Sequence, residues 1–69
     1  MNYQPHELRV IKEQIDLDMK IFALSAYIKT GSFQELSLTQ RGLLRRQQIV
    51  MQSYSDVLRL RINLFKESA

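Results

Sequence analysis

Apolar residues recur at helical spacing in two long segments separated by one short polar break. In the first segment Val10, Leu17, Ile21, Leu24 and Ile28 follow one another at intervals of seven, four, three and four. A second stripe of Leu8, Ile11, Ile15 and Phe22 runs beside it at three, four and seven. Both stripes fit a period of about 3.6, and neither fits the period-two alternation of a strand. Pro5 suits a first helical turn, where its missing N–H costs nothing. Glu7 then lies near the positive end of the helix dipole. The pattern predicts a helix over about 5–29. In the second segment the stripes are Leu43, Val50, Tyr54, Val57 and Leu64, and beside them Leu44, Met51, Leu58, Ile62 and Phe65. They predict a helix over about 38–65.

The break, KTGSFQELS, covers residues 29–37. Gly31 suits a left-handed position after the first helix, and Lys29 suits that helix's negative end. Phe33 and Leu36 are expected to fold back and plug the end. SLTQ at 37–40 reads as a capping box, with Ser37 as N-cap and Gln40 reaching back. Gly42 falls inside the second helix, at a cost of about 1 kcal/mol against alanine. A close helix–helix approach is the preferred explanation over a kink. A short connection between two long helices gives an antiparallel hairpin, and residues 1–69 form a single hairpin domain. Such a hairpin buries one stripe per helix. The surplus stripes call for another copy, because long exposed apolar patches mark interfaces. The expected fold is therefore an all-α, antiparallel two-helix hairpin that assembles into a homo-oligomeric helical bundle.

Composition narrows the chemistry. A chain of 69 residues is too short to stabilise itself easily without staples. It has no cysteine, which excludes disulfides and thiolate metal sites. Its single histidine, His6, does not make a zinc site, so no metal and no cofactor are expected. A net charge of +3 suits an anionic ligand but falls short of a dedicated DNA-binding composition. The N-terminal segment is polar, with no secretory h-region, and no apolar run approaches the roughly 20 residues that span a bilayer. We therefore expect a protein of the host cell cytoplasm, with neither membrane nor DNA as partner.

Signatures of catalysis are missing: there is no phosphate loop, no nucleophile–histidine set and no HExxH. Asp16 and Asp18 point apart on a helix and do not form a catalytic pair. The chain is not expected to be an enzyme. Arg41, Arg45 and Arg46 could grip phosphates, though a solvated basic face is the commoner explanation. Tyr3 precedes the helix, joins no stripe and is free to stack on a ligand. Lys20 sits beside the buried face, four residues after Asp16, in the favourable order for an ion pair. Such a pair contributes only about 0.2–0.5 kcal/mol. Arg61 occupies a stripe position where an apolar residue would pack better. Each cation is either paired across an interface or open to a pocket, and composition alone favours the structural reading.

RVIKEQIDLDMKIFALSAYI (9–28) followed by GSFQELSLTQRGLLRRQQIVMQSYSDVLRLRI (31–62) resembles a family of small phage-encoded helical hairpins. Polar residues at fixed places, Glu13, Asp18, Lys20, Gln47 and Arg61, make the likeness more than apolar patterning. The family is similar to the Acb/Tad hairpins that phages direct against CBASS and Thoeris immunity. Those proteins are sponges that bind the host's cyclic nucleotide signal without cleaving it, as oligomers, characteristically hexamers, with ligand sites between subunits. The resemblance implies that Lys20 helps hold a cyclic dinucleotide and that Arg61 serves cyclic trinucleotides. It also implies that an aromatic and a polar residue before the first helix line the site, for which Tyr3 and His6 are the candidates. Arg9, by spacing an ordinary surface position, is carried with them as a candidate ligand residue. The family often has threonine two residues after the lysine. Here it is Phe22, which would block or reshape a trinucleotide site.

The function expected from these observations is anti-defence sequestration of cyclic di- and trinucleotides by a homo-oligomer. Two alternatives are an RNA-binding hairpin of the Rop type, using Arg41, Arg45 and Arg46, and a module that masks a host protein through its surplus apolar stripe.

Overall fold

A computed structural model describes the backbone of residues 3–68 and the side chains of residues 3–65. The chain forms α1 (Pro5–Ile28), a single-turn α2 (Gly31–Gln34) and α3 (Leu38–Ser68). α1 and α3 pack side by side to make a rod of 49 × 15 × 14 Å.

The caps explain where the helices begin. Pro5 is the first helical residue of α1, and the backbone N–H of Gln4 donates to Glu7 Oε1 at 2.7 Å. Before α3, the N–H of Gln40 donates to Ser37 Oγ at 3.1 Å, and the Ser37 N–H donates to Gln40 Oε1 at 3.4 Å. This is the reciprocal arrangement read from SLTQ.

The break differs from the expectation. Gly31 does not adopt a left-handed conformation: no described residue has positive φ. The chain instead re-enters a helix, because the Thr30 hydroxyl accepts a hydrogen bond from the Phe33 N–H at 3.3 Å and caps α2. That turn drives Phe33 inward until it is fully buried, with half-buried Leu36 beside it in the chain. Tyr27 meets the Phe33 ring edge-on at 6.1 Å, and the Arg45 guanidinium lies 5.1 Å above it. Of the plug expected from Phe33 and Leu36, Phe33 takes the buried place, while Leu36 lines a surface depression with Gln40, Leu43 and Leu44.

Of the two stripes on each long helix, α1 turns Val10, Leu17, Ile21, Leu24 and Ile28 toward its neighbour. α3 answers with Leu44, Met51, Leu58, Ile62 and Phe65. Val10, Leu17 and Leu58 form the centre of this seam. The other two stripes stay largely exposed. Gly42 also departs from expectation. A methyl group added there would meet nothing within 4 Å, so no close approach to α1 demands the glycine. It lies on the outer surface of α3.

Candidate functional site

Residues 9, 13, 16 and 20 fall at spacings of four, three and four and share one flank of α1. Where this flank meets α3 there is a groove of about 350 Å³, lined by Arg9, Lys12, Glu13, Asp16, Leu17, Lys20 and Tyr54. Leu17 belongs to the seam and forms the floor. Tyr54 stands on the α3 side, 44% exposed. A tyrosine suits such an edge, since its ring packs while its hydroxyl stays wet. The volume is at the low end of small-molecule sites, which run to roughly 300–1,000 Å³. Among the described residues only α1 and α3 wall the groove, and its outer side is open.

Three cations and two carboxylates line the groove. Asp16 and Lys20 do not close into a salt bridge. Among the described residues the ion pairs are Arg59 with Asp18 and Arg59 with Asp56. Lys20 also borders an adjoining shallow depression with Asp16, Met19 and Ala23. The arrangement offers point charges for an anion, a flat ring for a base, and carboxylates able to accept from exocyclic amino groups.

The structure brings Arg9 and Lys20 together, and places the other sequence candidates elsewhere. His6 is exposed, its ring edge-on to Phe65 at 6.5 Å. Tyr3 is half-buried just ahead of α1. Arg61 is exposed on α3, seven residues beyond Tyr54, and does not line the groove of its own chain. Phe22, 77% exposed, lies with Ile15, Asp18 and Met19 in a separate depression. Tyr54 and Lys12 are groove residues that the pattern did not flag. Tyr54 falls at apolar-stripe spacing with Val50 and Val57, and its hydroxyl is the available clue. Of the basic cluster, Arg41 donates to Gln34 Oε1 at 3.3 Å and Arg45 covers Phe33, so both are committed to the hairpin end.

A family model described as Sequestin matches residues 4–64. The chain belongs to the Sequestin family. The matched span of this Sequestin holds α1, α2, Tyr54 and Arg61, and so the whole groove. A phage relative is similar over almost its full length: an uncharacterized 7.5 kDa protein in the denB–rIIB intergenic region of Enterobacteria phage T4. It is 38% identical over 61 residues, covering 88% of this chain and 95% of the relative. No solved structure matches. Among the described residues, no helix is long and apolar enough to cross a membrane.

Proposed function

We propose that this Sequestin is a phage anti-defence sponge. It binds cyclic oligonucleotide immune signals, cyclic dinucleotides ahead of trinucleotides, and holds them without cleaving them. The observation that carries the reading is the open groove where Lys20, Arg9 and Lys12 face Tyr54. Cations for phosphates and an aromatic ring for a base are what a cyclic dinucleotide requires. The family's name, Sequestin, fits the same reading, as does the hairpin resemblance that singles out Lys20 and Arg61.

The protein acts as a homo-oligomer, by resemblance a hexamer, in the host cytoplasm. A groove lacking a third wall needs one from a second copy, and the exposed stripes supply a reason to associate. In that assembly Arg61, Tyr3 and His6 reach a ligand from neighbouring subunits. Phe22, where the family by resemblance often carries threonine, narrows the range toward dinucleotides. The chain is not an enzyme, and sequestration needs neither metal nor cofactor.

Titration calorimetry against a panel of cyclic di- and trinucleotides tests this, followed by denaturation and recovery of the ligand. Tight binding with intact recovery is the expected result. A folded protein that gives no heat with any member would sink the proposal, and a hydrolysed ligand would turn it into an enzyme.

A further inference from the structure

Among the described residues, two side-chain hydrogen bonds between the long helices stand out. Ser55 is completely buried, and its hydroxyl donates to Asp18 Oδ1 at 2.5 Å. Gln48 Nε2 donates to Ser25 Oγ at 2.6 Å. The partners stand seven residues apart on each helix, 18 and 25 on α1, 55 and 48 on α3. They are thus successive rungs of one antiparallel heptad ladder. Continued by seven, the ladder sets half-buried Ile11 level with half-buried Ile62.

Apolar rungs are non-directional and tolerate sliding, whereas a polar rung does not. If the helices slipped, the Asp18 carboxylate would lose a short, charge-assisted hydrogen bond, and the buried Ser55 hydroxyl would lose its partner. A polar pair inside an apolar seam is the best-attested way to specify register, and of the two rungs Asp18–Ser55 is the one with a fully buried hydroxyl. Asp18 has a second partner, Arg59 Nη2 at 3.7 Å from Oδ2, one turn along α3. Without Ser55, that turn is where the carboxylate would be drawn.

The clasp lies on the flank of the seam away from the groove. Asp18 and Lys20 are two positions apart on α1, about 200° around a helix of 3.6 residues per turn. Ser55 is buried while its neighbour Tyr54 faces the groove. The clasp therefore touches nothing that a groove ligand would touch, yet it decides which turn of α1 lies opposite Tyr54. We infer that Asp18 and Ser55 are positioning residues, whose hydrogen bond fixes the helix register that sets Tyr54 against Lys20. The inference rests on the groove being the nucleotide site.

The test has one arm that needs no ligand. The chain has no cysteine, so Lys29→Cys and Asn63→Cys, both exposed positions, accept spin labels on an otherwise native chain. The labelled chain is diluted into excess unlabelled chain so that only distances within one hairpin are read. Ser55→Ala should broaden or shift the distance by about 5 Å, one helical turn. Asp18→Ala removes the acceptor and should shift it likewise, whereas the core variant Val10→Ala should leave it unchanged. An unshifted distribution for Ser55→Ala overturns the inference. The second arm measures affinity for the best-bound member of the cyclic dinucleotide panel. Ser55→Ala and Asp18→Ala should each weaken it about tenfold or more, since ångström-scale misplacement in a site is costly, while Val10→Ala stays near the parent. A shifted register with unchanged affinity also overturns the positioning role. If the parent chain binds no cyclic nucleotide, the functional reading fails, and the distances still decide whether Ser55 sets the register.

Discussion

Lys20 can be removed without cost to the fold. It is exposed and stands in no salt bridge among the described residues, so Lys20→Ala should change stability by no more than about 0.5 kcal/mol. If it holds a phosphate, the same change should weaken cyclic dinucleotide binding by tenfold or more, about the worth of one charge-assisted hydrogen bond. Calorimetry alongside thermal melting separates the two effects. Tyr54→Ala should cost about 1–3 kcal/mol of binding if a base stacks on it, and Tyr54→Phe much less. Lys20 was legible in the sequence because it interrupts an apolar neighbourhood. Tyr54 was not, because an aromatic residue at stripe spacing is most simply read as core. Periodicity gives the stripes but not which of two adjacent ones turns inward. That choice is made by packing against a partner whose register the sequence leaves open.

The same distinction holds for the helical elements. Both long helices, their capped starts and the Phe33 plug follow from local rules: proline at N1, a serine–glutamine capping box, an aromatic between helices. The short α2 and the conformation of Gly31 did not, because a glycine after a helix fits two continuations. Here the Thr30 hydroxyl tips the choice by capping a new turn. Thr30→Ala should therefore lower stability by about 1 kcal/mol, measured by urea denaturation. Gly42 points into open space, so Gly42→Ala should raise stability by about the same amount. Unchanged or reduced stability would mean that the glycine serves a contact between chains.

At the scale of the molecule, the hairpin is long for its mass. Its radius of gyration is 15.6 Å, against about 11 Å for a compact chain of this length. Leu8, Ile15, Met19 and Phe22 on α1, and Leu43, Val50, Tyr54 and Val57 on α3, remain exposed in the single chain. If a second copy covers the α1 stripe, Phe22→Asp should lower the mass seen by light scattering. It should also reduce ligand affinity while leaving helicity intact, since Phe22 packs little within its own chain. A hairpin that keeps its mass after this change would place the contact on α3 instead.

The crossings between α1 and α3 also order the way the rod opens. Ser25 and Gln48 are 23 residues apart in sequence and Asp18 and Ser55 are 37 apart, while His6 and Phe65 meet across the far end. Each step away from the turn closes a longer loop, whose entropy cost grows slowly with length. The hairpin should therefore zip from Phe33 outward and fray from the end where His6 meets Phe65. Amide hydrogens near the turn should exchange with solvent last, those beside His6 first, and those along the groove in between. A nucleotide spanning the groove would slow exchange there, leaving the turn almost unchanged.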